Sequence, residues 1–315
     1  MPRTRVGAVL LPYSVTYERV LAAARRAEDL GFDSVWVPDH LQRGSMSLLE
    51  CWTTISALAA STTKVRLGSL ATCNTFRNPG LLAKMIATAS QISKGRVDVG
   101  IGVGYDDVEH TAYGYLFPKL RERVAALGES LKVMKMLWGG GRVDFEGKHY
   151  SLRHAVSLPA PVRDPRVWVA GRSDAVLQAA AASGAYGVNV LPYSGTRDER
   201  RISTPEELAN ISGRIRSIKR LKSSIYCGDG GAVIGRTGKE FSHQVAKAAK
   251  LAGCSRSGMS ARLANLSALY GTVEQCERKK EELESAGFEE LMLIFPGWQR
   301  GDYSNMDSFA EILLH

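Results

Sequence analysis

The sequence predicts an α/β protein of parallel β/α units, with a (β/α)8 barrel ahead of a doubly wound sheet, and three observations carry that expectation. Short apolar runs alternate with helical periodicity from one end of the chain to the other. Each strand run is continuously apolar, as in strands covered on both faces, and about eight can be counted. No G-x-G-x-x-G follows the first run, which weakens the doubly wound option. With 315 residues and 44% hydrophobic content the chain can bury one large core, so residues 1–315 are expected to form a single domain.

Val6 to Leu11 reads as the first strand, and Thr16 to Leu30 as a helix with Thr16 as cap, apolar positions at Val20, Leu21, Ala24 and Ala27, and Gly31 as its stop. Ser34 to Val37 is the second strand. Then follow a helix from Leu49 to Ala60, a strand from Val65 to Thr72, a helix from Gly80 to Ile92, a strand from Val97 to Val103 and a long helix from Lys119 to Leu137. Arg142 to Leu152 alternates apolar and polar residues around a Glu-Gly turn, the pattern of a hairpin set on a barrel loop. Regular units resume with strand Val167 to Ala170, helix Asp174 to Ser183, strand Gly187 to Leu191, helix Pro205 to Leu221 and strand Ser223 to Ile234. Helices Lys239 to Leu251 and Val273 to Ser285, strand Glu290 to Phe295 and a terminal helix at Asp307 to Leu314 complete the chain, with a loop around Cys254 to Arg262.

Composition narrows the function. Five cysteines without a C-x-x-C pair, and six histidines without H-x-x-x-H spacing, suggest reduced thiols and no metal site. No secretory leader or membrane span is recognised, so a cytoplasmic protein is expected. The formal charge of +9 makes an anionic ligand worth considering. The densest basic stretch, Arg214 to Lys222, reads as a solvated helix face, and without a basic stripe interleaved with aromatics no nucleic-acid partner is expected.

In a β/α barrel the ligand site lies at the carboxyl ends of the strands. The second strand ends in Asp39 and His40; the third is followed by Asn74, Thr75, Arg77 and Asn78. The fourth carries Gly100, Gly102 and Gly104 at alternate positions, which suits either a flat ring against the backbone or tight barrel packing. Tyr105 and Glu109 follow four residues apart, on one face if a helical turn starts there. After the fifth strand, Gly171, Arg172 and Ser173 feed a helix whose N-terminal amides suit a phosphate or are simply capped.

These stretches resemble the luciferase-like monooxygenase superfamily, and within it the branch that uses coenzyme F-420. The matching segments are LGFDSVWVPDHL (Leu30 to Leu41), the run from Lys64 to Tyr105, LWGGGRVDFEGKHYSL (Leu137 to Leu152), VWVAGRSDAVLQAAAASG (Val167 to Gly184) and Gly271 to Phe295, in the family's order and spacing. The resemblance implies a luciferase-like barrel with loop insertions and a deazaflavin across its strand ends. Asp39 would lie by the ring or ribityl chain, a bulged strand with a non-prolyl cis peptide at Leu70 and Ala71 behind the ring, with Asn74 beside it, and Gly171, Arg172 and Ser173 at the phosphate. His40 matches the histidine beside the hydride-transfer carbon in the sugar-phosphate dehydrogenases, where it can accept or donate the accompanying proton. Where those enzymes have a tryptophan and an acid, this chain has Gly44 and Tyr105, so the acid's role falls to Tyr105 or, one turn later, Glu109. The activity implied is hydride transfer between F-420 and a small organic substrate. Two alternatives stand beside it: an FMN-dependent monooxygenase, and a barrel that binds flavin or deazaflavin without catalysis. Family members imply a homodimer.

Overall fold

The computed structural model describes residues 3–191, 193–194, 201–218, 221–227, 232–266 and 269–314. Eight parallel strands, β1 (Arg5–Val9), β2 (Ser34–Val37), β3 (Arg66–Cys73), β4 (Val97–Gly102), β5 (Val167–Ala170), β6 (Gly187–Val190), β7 (Lys222–Cys227) and β8 (Glu290–Ile294), follow one another in chain order around a closed barrel. Closure in sequential order selects the barrel over the doubly wound sheet. By contact density the chain divides into two units, one of Met1–Leu11, Thr16–Trp36 and Val190–His315, the other of Pro12–Val15 and Val37–Asn189.

The first unit holds β1, β7, β8 and most of β2, with α1 (Tyr17–Asp29) among its helices. Arg5 to Val9 of β1 run in register with Glu290 to Ile294 of β8. At the start of these strands the buried Glu290 carboxylate accepts from Ser34 Oγ at 3.0 Å and Arg5 Nε at 3.1 Å, and Ser34 Oγ accepts from Trp36 Nε1 at 2.7 Å. A charge can sit there because each oxygen has a donor. Phe32, Phe295 and Phe309 close the other side of this core with edge-on and stacked contacts.

The second unit holds β3 to β5 and most of β6, with helices α2 (Cys51–Ser61), α3 (Pro79–Ser93), α4 (Asp107–Ala112), α5 (Leu120–Trp138) and α6 (Asp174–Ser183). An antiparallel hairpin of Arg142–Glu146 and Ser151–Val156 decorates it, where the Glu-Gly turn predicts one. Asp98 anchors the amino ends of its strands, receiving Arg66 Nε at 2.7 Å, and Arg96 closes the ends of α2 and α3 by donating to the carbonyls of Ala59, Thr62, Val65 and Ser93. The charges at the amino ends are thereby spent on structure, leaving the carboxyl ends for chemistry.

The structure departs from the sequence reading in four places. Thr16 stands at the α1 N-cap, yet its hydroxyl makes no capping bond. The expected strand Ser223 to Ile234 is two: β7, and Val233–Gly235, which pairs in parallel with Tyr270–Thr272; residues 228–231 between them lie outside the described residues. The expected loop at Cys254 to Arg262 is largely a helix, Arg256–Leu266, begun by Ser255, whose Oγ accepts from Gly258 N at 3.0 Å as a cap does. The helix expected to reach Leu221 stops at Ser217, and of its basic stretch Lys219 and Arg220 lie outside the described residues.

Candidate active site

Every candidate side chain belongs to the second unit, at or just beyond the carboxyl ends of β2, β3, β4 and β5. The α4 helix forms where a helical turn is required for Tyr105 and Glu109 to meet, and Asp106 caps it by accepting from Glu109 N at 3.4 Å. Tyr105 itself precedes the helix. Both residues nevertheless reach one imidazole, from opposite sides: His40 Nδ1 lies 3.1 Å from Glu109 Oε2 and His40 Nε2 lies 3.2 Å from the Tyr105 hydroxyl.

The protonation pattern follows from the partners. Glu109 is 3% exposed, and its other oxygen accepts the backbone N–H groups of Leu41 and Gln42, the latter at 3.0 Å. Burial alone would raise this carboxyl; the His40 hydrogen bond and the two amides outweigh it and hold the group below its ordinary value. A carboxylate so ionised is an acceptor only, so Nδ1 of His40 is the donor of that contact, and in the neutral imidazole Nε2 then presents its lone pair. The Tyr105 phenol is pushed up by desolvation, although the residue is 58% exposed, against the opposing pull of Arg43, which donates to its oxygen at 3.4 Å. The result is a directed line, Tyr105 O–H to His40 Nε2 and His40 Nδ1–H to Glu109, with the Tyr13 ring edge-on to the imidazole at 6.3 Å.

Asp39, the neighbour of His40, is committed differently. Its carboxylate receives both Arg77 nitrogens, at 2.6 and 2.9 Å, and the Cys73 amide at 2.9 Å, and Arg77 continues to Glu50 at 2.6 Å. Burial would lower the Arg77 guanidinium, but Asp39 and Glu50 overcome it and keep the charge fixed above its ordinary value. This buried bidentate pair ties the turn after β2 to the turn after β3, and so fixes the backbone that carries His40. Arg77 is visible in the sequence only as one of four polar residues after the third strand; its partner is a tertiary fact.

Between those turns β3 bulges. The peptide between Leu70 and Ala71 is cis, and the pairing with β4 shifts register between Ser69 and Thr72. A line of donors pins the bulge: Trp52 Nε1 to Thr72 Oγ1 at 3.0 Å, Thr72 Oγ1 to Ser69 Oγ at 2.8 Å, and Ser69 Oγ to the Gly100 carbonyl at 2.9 Å. Gly100 answers to packing, since a Cβ there would stand 2.2 Å from the Ser69 carbonyl oxygen. Gly102 differs: its nearest neighbours are the Cβ atoms of Ala170, at 3.4 Å from an added Cβ, and Ala71, at 3.9 Å, so three small residues from adjacent strands make a low floor at the strand ends.

Asn74 is 1% exposed; its Nδ2 donates to the Tyr150 hydroxyl at 3.3 Å and its Oδ1 is buried with no partner. After β5, Gly171 turns at φ +146° and donates to the Asn189 carbonyl at 3.0 Å. Ser173 occupies the α6 N-cap without a side-chain capping bond. Tyr150, Arg43 and Glu50 carry no signal in the sequence that marks them as site residues.

Comparison with known proteins gives the family and the fold. The model of a family described as luciferase-like monooxygenase matches residues 3–221. An F-420-dependent glucose-6-phosphate dehydrogenase of Kineococcus radiotolerans is 36% identical over 167 residues, 51% of this chain and 49% of that protein, so the chain spans about half the length of the curated relatives it matches. Among solved structures, a monooxygenase from Streptomyces bottropensis superposes with a TM-score of 0.80 at 24% identity, covering 98% of both chains. An F-420-dependent secondary alcohol dehydrogenase with an F-420–acetone adduct gives 0.76 at 21% identity, covering 99% of this chain and 98% of that one. At these identities the two structures speak for the fold.

Proposed function

The chain belongs to the luciferase-like monooxygenase family, and on that premise we propose that it is a coenzyme F-420-dependent oxidoreductase exchanging a hydride with a small organic substrate. The observation that carries the proposal is the Tyr105–His40–Glu109 line beside the bulge at Leu70 and Ala71. The residues present fit a flat heterocycle on two counts: the buried Asn74 Oδ1, which has no partner among the described residues, and the low floor of Ala71, Gly102 and Ala170. Leu70, Ala71 and Asn74 would hold the ring, Asp39 would act through Arg77 and the Cys73 amide to shape the turn around it, and Gly171, Arg172 and Ser173 would hold the phosphate. When bound, the deazaflavin supplies a two-electron hydride donor or acceptor.

The chain's own residues manage the proton. An alcohol that gives up a hydride must also lose its hydroxyl proton, and His40 Nε2 is the unprotonated nitrogen available to take it, directly or through Tyr105. The imidazolium that forms faces the Glu109 carboxylate, which stabilises it; in the reverse direction the same nitrogen returns the proton to a carbonyl oxygen. The protein is proposed to act as a cytoplasmic homodimer; among the described residues no helix is long and apolar enough to cross a membrane.

A second reading, an FMN-dependent monooxygenase, is favoured by the fold likeness to the oxygenating constituent of a Pseudomonas putida diketocamphane monooxygenase in complex with FMN. Titration of the purified protein with F-420 and with FMN, followed by fluorescence, separates the two. Micromolar binding is expected for F-420; binding of FMN alone sinks the proposal in favour of the second reading. In the hydride-transfer assay that follows, His40→Ala is expected to lose about 100-fold or more in rate.

A further inference from the structure

The cofactor-binding reading leaves the hairpin and the middle of α5 without a task, yet a clasp of three backbone amides joins them. Glu129, in α5, turns its carboxylate onto the hairpin bend and accepts three successive backbone N–H groups, Lys148 at 2.9 Å, His149 at 2.8 Å and Tyr150 at 3.1 Å. Gly147 makes the approach possible: a Cβ there would stand 2.5 Å from Glu129 Oε2. Burial acts to raise the Glu129 carboxyl, and the three amides more than reverse it, so the clasp is a charged one. The bend is thus located by α5 as well as by its own Gly147 N–H to Tyr150 carbonyl bond of 2.9 Å. Its last residue sends a hydroxyl to Asn74.

Resting on that reading, we propose that Tyr150 is a positioning residue for the cofactor: it holds one end of the buried Asn74 amide so that the other end is presented to a polar group of the bound deazaflavin. A side-chain amide has a donor end and an acceptor end, and a tyrosine hydroxyl can complement either. Engaging Nδ2 leaves Oδ1 as an acceptor, and that oxygen is buried without a donor among the described residues, at the end of the bulged strand. Buried acceptors in folded proteins are paired, so a donor from the ligand is the expected partner. Without Tyr150 the amide is free to rotate, and the site loses its preorganisation rather than its shape.

The test is a double-mutant cycle read by cofactor affinity. F-420 and FMN are titrated by fluorescence into the wild type, Tyr150→Phe, Asn74→Ala and the double variant, with thermal melts of each without cofactor. Tyr150→Phe keeps the ring and is expected to melt like the wild type while weakening cofactor binding about three- to tenfold, the worth of one hydrogen bond. Asn74→Ala should weaken it at least as much, and the double variant should match Asn74→Ala within about twofold, because the tyrosine acts only through the asparagine. Glu129→Gln, which loosens the clasp, should weaken binding in the same direction. If the wild type binds cofactor and Tyr150→Phe binds equally well, or if the two single losses multiply in the double variant, the positioning role is overturned while the function stands. If the wild type binds neither cofactor, the function falls and this role falls with it. Binding of FMN alone removes F-420 from the proposal, and the same cycle then decides the role of Tyr150 on FMN.

Discussion

At the scale of single residues, the ionised state of Glu109 is the pivot of the site, because it dictates which nitrogen of His40 is free. Its folded pKa lies below the ordinary 4.5, so its stabilising contribution is present above the unfolded value and is lost as pH falls through the folded one. Glu109→Gln is therefore expected to destabilise the protein by about 1–3 kcal/mol at neutral pH, where a charged acceptor of two amides and an imidazole is lost. Thermal melts of both proteins from pH 7 down to about 3 check this: the gap should narrow as the pH drops below about 4.5 and the wild-type carboxyl protonates. An unchanged gap across that range would mean that the carboxyl is not charged in the folded protein. His40, Tyr105 and Glu109 are legible in the sequence because strand ends in β/α proteins are where chemistry collects. Glu129 and Tyr150 are not, since an acid in mid-helix and a hairpin aromatic look alike whether they serve a site or a surface.

At the scale of elements, the glycines of β4 show how one sequence pattern conceals two causes. Alternate glycines are compatible with a ring lying on the strand and with close packing, and the two positions differ in what surrounds them. At Gly100 the Ser69 carbonyl occupies the space of a Cβ, whereas Gly102 opens onto the small residues Ala71 and Ala170. Gly100→Ala is expected to force the bulge apart, at a cost of about 1–3 kcal/mol and a melting temperature lower by about 3–10 °C. Gly128→Ala, in α5 with nothing within 4 Å of the added carbon, is the control and should be neutral or slightly stabilising. Equal melting of the two variants would show that the bulge yields without cost. Seven of the eight barrel strands are readable to within two residues because burial on both faces makes them continuously apolar; Ser223 to Ile234, read as one strand, is the exception. The helix Arg256–Leu266 is not readable, because it mixes serine, glycine and arginine with few periodic apolar positions, and tertiary packing decides such a segment.

At the scale of the whole molecule, the charge balance becomes specific once the units are separated. The unit that carries the site, Pro12–Val15 with Val37–Asn189, has eighteen basic and twelve acidic side chains, a net of six of the chain's nine positive charges. Several of those bases are spent: Arg77 on Asp39 and Glu50, Arg66 on Asp98, Arg96 on backbone carbonyls. What acts at a distance is the net field, and a positive field draws in a ligand that bears a phosphate and a polyglutamate tail more strongly than one that bears a phosphate alone. Such attraction is screened by salt, over about 10 Å at 0.1 M and about 3 Å at 1 M. Raising sodium chloride from about 50 mM to about 500 mM should therefore weaken F-420 binding several-fold, and weaken FMN binding less, in fluorescence titrations at fixed pH. If both affinities fall in parallel, the field reads only the phosphate, and the tail makes no electrostatic contribution. If neither changes, the positive balance serves solubility, and recognition rests on the short-range contacts at the strand ends.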